Sequence, residues 1–438
     1  MRLFVIPTHR DCRKAVNSIM KEINYVVERG EKTCLVIIEN SNDDVYIKNR
    51  IFLISVARAN QTIPIYHIGL ENMKKIIVLI QRKTKLSYEK LTEMLYPDKI
   101  NYGKIGNAIY LITALLHADS IHRRDSDCFV NHLTPDDYPV SQEYKYMNKS
   151  VNTLNDVFRQ ENLQYHDTDK ICIVGGDYSG NWDLDMEEIS IANPDAMKAL
   201  MLICGIEKDD VDSQFTEKYI LDDENENKRK SILSTVFSDS QTPVCGNISM
   251  SEIYKYIPNF IGENGIGFDN HTYFMSFLVK VPIIFHFKRI LHQHDAKRTE
   301  NIDLYRYWHG MAKMVDYDCN HLHFIKLGFG DALCVDGFGL DALKCNCENK
   351  IPDLFERTLD SIPIHTRVNR IEVMAKDILY KTNMKKYCDI GDYLNDNKHR
   401  ILNELDHDYS LSIELQRHWR QIVCAVERDA EDFVIDRL

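Results

Sequence analysis

Up to Asp125 the chain alternates short apolar runs with helical stretches, and this alternation restricts the fold more than any other feature. Leu3-Phe4-Val5-Ile6 reads as a buried strand that ends at Pro7-Thr8. A helical pattern follows, with Val16, Ile19, Met20, Ile23 and Val26-Val27 on one face and Gly30 as its stop. Cys34 to Ile38 is a second strand, 44–59 a helix, and Ile63 to Ile68 a third strand. Helical stretches at 70–82 and 87–95 precede the apolar helix Ala108 to His117, which leads into a fourth strand over 119–124. Such an order predicts an α/β fold, an open and mostly parallel sheet flanked by helices. Sheets of this kind bind ligands beyond the carboxyl ends of their strands. Asp125 to Asp127 stand at one such end.

Beyond this region the pattern is mixed. Lys170 to Val174 reads as a strand broken by Gly175-Gly176, and Val281 to Phe287 as another. The charged stretch 206–230 reads as a solvated insertion or a lid over a site. From about 300 helical periodicity dominates, as in Ile371, Met374 and Ile378, and in Leu415, Trp419, Ile422 and Val423. The expected organisation is a catalytic region over 1–300 and a mainly helical subdomain over 301–438. That subdomain would cover one side of the site or form a homodimer.

A net charge of −12 argues against a broad grip on nucleic acid. No run approaches the roughly 18 to 20 apolar residues of a spanning helix. The first apolar run is broken by Pro7, which gives no secretory signal, so a cytoplasmic location is expected. Of twelve cysteines, Cys34 and Cys172 lie in apolar runs and read as reduced core thiols. Cys319, His321, His323, Cys334, Cys345 and Cys347 offer zinc-binding residue types but no paired C-x-x-C.

The chemistry centres on Asp125-Ser126-Asp127. Carboxylates at i and i+2 on a turn leaving a strand reach one hard cation, Mn²⁺ or Mg²⁺, and leave open positions for phosphate oxygens. A second segment, Val174 to Asp183, is glycine-rich. There Tyr178 and Trp182 offer faces for sugar stacking, and Asp177 and Asp183 offer carboxylates for hydroxyls.

Over roughly residues 1–300 the order of Pro7-Thr8-His9-Arg10, Glu39-Asn40-Ser41, Gly103-Lys104-Ile105-Gly106-Asn107 and Asp125-Ser126-Asp127 resembles the GT-A glycosyltransferases, particularly the family 2 type. The resemblance implies a metal-dependent hexosyltransferase. Its partners would be a UDP- or GDP-sugar donor and a sugar, glycan, peptide or small-molecule acceptor. By the same resemblance Pro7, Thr8 and Arg10 border the nucleotide, and Glu39 contacts base or ribose. Asn107 sits near the diphosphate, and Asp125 and Asp127 hold the metal. His292 and His294 supply a further metal ligand, with Lys297 and Arg298 on the diphosphate. Asp269 is the implied catalytic base, with Glu263 and Asp177 as substitutes, because the family's Glu-Asp pair reads Asp269-Asn270 here. The strand Ser120-Ile121-His122-Arg123-Arg124 departs from the family's apolar pattern, and Arg123 or Arg124 is expected to face the diphosphate. Two alternatives are a sugar nucleotidyltransferase, which needs a glycine-rich loop after the first strand, and a non-catalytic carbohydrate-binding protein.

Overall fold

The computed structural model describes residues 1–131, 134–160, 163–180, 186–204, 206, 208–209, 211–212, 215, 229–236, 243–293, 301–335, 337–428 and 437–438. Most of the expected 206–230 insertion lies outside these residues.

Four strands at the start form the frame of the site. They are β1 (Arg2–Thr8), β2 (Thr33–Glu39), β3 (Ile65–Ile68) and β4 (Ser120–Arg123), all paired in parallel. Val5 stands opposite Val36 on one side and Arg123 on the other. Every residue of β2 is buried, which is why it reads as an unbroken apolar run: helices cover both faces of a parallel sheet. Between the strands run α1 (Arg13–Val27), α2 (Asp43–Ala59), α3 (Leu70–Lys83), α4 (Tyr88–Leu95) and α5 (Tyr102–Leu115). Side chains fix three of their starts. Asn42 accepts from the Val45 amide at 3.1 Å, Ser87 from Lys90 at 3.2 Å, and Asn101 from Lys104 at 3.0 Å. The Asn101 cap starts α5 at Tyr102, well before the expected Ala108.

The sheet continues through β5 (Cys128–Phe129), β6 (Phe158–Arg159), β7 (Ile173–Gly180), β8 (Ile232–Ser234), β9 (Ile248–Met250) and β10 (Ile283–His292). Its order is β3-β2-β1-β4-β9-β7-β10-β8-β6, with β5 on β10. Among the described residues five of the nine pairings are parallel. The antiparallel ones all involve β9 or β10, so the sheet is mixed in its second half. The expected break at Gly175-Gly176 does not occur. β7 runs through both glycines, and a Cβ on Gly176 would stand 2.5 Å from the His286 carbonyl oxygen. The glycines serve close strand approach rather than termination. Between β5 and β6, helix α6 (Pro139–Tyr146) packs against β7 and β10.

Past residue 300 the described chain is helical, apart from a bridge between Tyr66 and Arg437. Its longest helices are Asn301–Lys326 and Lys385–Arg428. These helices share the principal core with the sheet: Leu3, Val36 and Ile112 join one apolar cluster with Phe324, Trp419 and Ile422. Trp419 is fully buried, and its indole N–H donates to the Tyr254 carbonyl at 2.7 Å. Among the described residues no helix is long and apolar enough to cross a membrane.

Candidate active site at the sheet switch point

Strand β1 is flanked by β2 on one side and β4 on the other, so the chain leaves β1 in one direction and later returns on the opposite side. At such a reversal the loops beyond the carboxyl ends diverge and leave a crevice. After β1, the Thr8 hydroxyl donates to the Arg10 carbonyl at 2.9 Å and accepts from the Arg10 amide at 3.1 Å. Asn49 on α2 donates to the same carbonyl at 3.0 Å. After β4, the Arg124 amide donates to Val5 at 3.0 Å, and the Cys128 amide donates to the Asp125 carbonyl at 2.9 Å. That bond closes Asp125 to Cys128 into a tight turn. The end of β10 fixes the turn from the far side, because Cys128 pairs with His292 and the Gln293 amide donates to the Asp127 carbonyl at 3.0 Å.

The two loops border a cavity of about 350 Å³ whose wall includes Pro7, Thr8, Arg10, Asp125, Asp127, Asp269 and His292. Tyr307 and Met314 of helix Asn301–Lys326 close another side. Asp269 comes from the turn Phe268–Asn270 that precedes helix His271–Leu278. Arg123 joins the carboxylates: its Nε lies 2.8 Å from Asp125 Oδ1 and its Nη1 2.8 Å from Asp269 Oδ2. Burial pushes the Asp125 carboxyl above its ordinary value. Arg123 opposes this, while the Asp127 and Asp269 charges reinforce it. Beside them the Cys245 thiol contacts Tyr273 Oη at 2.9 Å and Asn270 Oδ1 at 3.0 Å, and burial raises it well above the usual thiol range.

Asp127 faces a different set of partners. Arg10 Nη1 is 3.3 Å from its Oδ2, and His292 Nε2 is 3.8 Å from the same oxygen. Ligand atoms of Asp127, Cys128 and His292 all lie within 4.8 Å of one another, the one such group among the described residues. Carboxylate, thiol and imidazole converging from two strand ends fit a divalent cation in donor type and spacing.

The structure therefore brings Pro7, Thr8, Arg10, Asp125, Asp127, Asp269 and His292 to one cavity, and places five other candidates elsewhere. Glu39 is buried, contacting His67 at 2.7 Å and Asn49 at 2.9 Å, while Asn40 beside it lines the cavity. Asn107 is enclosed in the protein: it donates to the Asn259 carbonyl at 3.1 Å and accepts from the Asn259 amide at 2.7 Å. Gly103 of the same segment serves packing, since a Cβ there would meet the Phe260 carbonyl oxygen at 1.7 Å. Arg124 points away from the cavity into a fully buried cluster, contacting Glu22 and Glu143 at 2.8 and 2.9 Å. His122 bonds Glu143 there at 2.6 Å. This cluster explains the polar β4 strand. Glu263 is at the surface with Lys99 at 2.9 Å. Asp177 bonds the Tyr178 amide at 2.8 Å and does not line the cavity. His294, Lys297, Arg298, Trp182 and Asp183 lie outside the described residues. The later Cys and His residues form no ligand group among those described: Cys319 donates to the Ile203 carbonyl, and the His321 ring bonds the Tyr317 carbonyl.

Fold and cavity together define an α/β protein with an acidic, cation-competent cleft at its switch point. The chain belongs to the Family of unknown function (DUF6271), whose model matches residues 3–432. No curated protein matches it. Among solved structures the chain is similar to a mannosyltransferase from Pyrobaculum calidifontis in complex with GDP-Man and Mn²⁺, at 10% identity and a TM-score of 0.35. That likeness covers 90% of this chain and 86% of the other. It is also similar to S. aureus TarS 1-349, at 10% identity and a TM-score of 0.34, covering 98% and 91% of the two chains.

Proposed function

We propose that the chain is a glycosyltransferase that moves a sugar from a UDP- or GDP-sugar to an acceptor hydroxyl on a sugar, glycan, peptide or small molecule, with a divalent cation. The observation that carries this reading is that the Asp125–Asp127 turn and Asp269 face one cavity at the switch point, joined by Arg123. In this reading Pro7, Thr8 and Arg10 border the nucleotide. Asp127 and His292 hold the cation, which would offset the charge of the diphosphate. Asp269 accepts the proton of the acceptor hydroxyl as the sugar carbon is attacked, an inverting outcome. Arg123 holds that carboxylate in place, and the cavity wall from Tyr307 and Met314 is the acceptor side.

A sugar nucleotidyltransferase is disfavoured because Pro7-Thr8-His9-Arg10-Asp11-Cys12 contains no glycine to cradle a triphosphate. A silent binding protein with the same cavity is separated by turnover. Nucleotide-sugars screened by thermal shift with Mn²⁺ should give one donor class that raises the melting temperature, because a ligand bound to the native state stabilises it. That donor should then be hydrolysed slowly in the absence of acceptor. A full panel without any shift would remove the donor assignment, and binding without hydrolysis or transfer would favour the silent reading.

A further inference from the structure

We propose that Cys128 is a ligand of the cation, so that the site selects borderline-soft ions of the Zn²⁺ or Co²⁺ class over Mg²⁺. The inference rests on the cation reading above and concerns the ligand set.

The Asp125–Asp127 pair supplies only one carboxylate to the ligand group. Asp125 is turned onto Arg123, and the group that converges is Asp127, Cys128 and His292. Two separate backbone constraints hold the three together. Asp127 and Cys128 are consecutive on the closed turn, and Cys128 and His292 are direct partners across the β5–β10 ladder. A thiol and an imidazole at paired positions of an antiparallel ladder stand side by side on one face of the sheet. Zinc-class ions bind S, N and O donors at about 2.0–2.3 Å. Donors within 4.8 Å of one another need only a small closure to share such an ion.

The surroundings favour a bound thiolate over a packing thiol. Cys128 is 3% exposed yet lines the cavity. Its sulfur rests against Gly246, where a Cβ would come within 2.6 Å of Sγ, so Gly246 leaves the sulfur its space. Tyr178 packs on the His292 ring at 4.9 Å between centroids, which limits the rotation of the imidazole. Three protein donors with the remaining positions turned to the cavity is the arrangement of an open site. A soft donor beside a carboxylate and an imidazole suits Zn²⁺ and Co²⁺, whereas Mg²⁺ prefers an all-oxygen octahedron.

The test is titration of the full chain with Co²⁺, followed by optical absorption. The expected result is an intense near-ultraviolet sulfur-to-cobalt charge-transfer band that Cys128→Ser abolishes. In that variant Co²⁺ and Zn²⁺ should also bind at least about tenfold more weakly, since disturbing even a supporting partner of a metal ligand costs roughly 10- to 100-fold. Asp127→Ala should weaken Co²⁺ in parallel. Cadmium NMR on the unsubstituted chain should place the ion in the thiolate-ligated range, a readout independent of how the variant folds. Co²⁺ that binds, depends on Asp127 and shows no band sensitive to Cys128→Ser would overturn the thiolate while leaving the cation reading intact. A chain that binds no divalent ion, with or without UDP or GDP, would overturn both.

Discussion

Arg123 and Asp269 form a short ion pair, 2.8 Å from Nη1 to Oδ2, between the end of β4 and the turn Phe268–Asn270 that lies between β9 and β10 in the chain. The partners are 10% and 7% exposed, and the same guanidinium holds Asp125 through its Nε. Removing it leaves the buried Asp269 and the partly exposed Asp125 without this partner, and breaking a buried pair costs about 3–5 kcal/mol. Arg123→Met should therefore lower stability by roughly 3 kcal/mol in urea unfolding. A change below about 0.5 kcal/mol, the scale of an ordinary surface substitution, would show that the pair is not held in solution.

Asp269→Asn keeps the side chain's size and can still accept from Arg123. In the proposed mechanism it should cut transfer by roughly 10²- to 10⁴-fold and leave donor affinity nearly unchanged. Near-normal turnover on the true acceptor would eliminate Asp269 as the base.

Asn107→Ala separates packing from ligand contact. The side chain satisfies both backbone groups of Asn259, so its loss should cost about 1–3 kcal/mol. Nucleotide affinity measured on the folded fraction should not move. A selective loss of diphosphate affinity at unchanged stability would place Asn107 at the ligand after all.

Acid should destabilise the chain through buried imidazoles. Burial lowers His286 to about 4 and His321 to about 3, both from 6.5. The unfolded chain takes up these protons near 6.5, whereas the folded chain resists them, so stability falls as pH drops from 6.5 toward 4. The urea midpoint should be lower at pH 5 than at pH 7, and His286→Gln should flatten that dependence. An unchanged midpoint would contradict it.

Much of the frame was legible because its signals are local. The apolar runs of β1 and β2 and the helical stripe of Val16, Ile19 and Ile23 act within a few residues of themselves, whereas the Asn101 cap that starts α5 at Tyr102 went unread. The turn at Asp125 was legible for the same reason. The pairing of β7, β9 and β10 was not, because it depends on contacts more than seventy residues apart that no short-range pattern encodes. Glu39, Asn107 and Arg124 carry polar side chains suited either to a ligand or to a buried partner. Which one they meet is decided by His67, Asn259 and the Glu22–Glu143 pair, all distant in sequence. Conversely, Cys128 looks like any core thiol until β10 places His292 opposite it. The helical periodicity beyond residue 300 was clear in Trp419 and Ile422, yet it gave no sign that Tyr307 and Met314 reach the cavity wall.

In the proposed function this cleft binds a nucleotide diphosphate through the Asp127 cation site. Isothermal calorimetry of UDP and GDP, each with and without a divalent ion, tests it most directly on the unsubstituted chain and on Asp127→Asn. The expected result is cation-dependent binding of one nucleotide diphosphate that Asp127→Asn abolishes while the melting temperature stays near that of the parent. Binding of equal strength without any cation, or undiminished in Asp127→Asn, would contradict it.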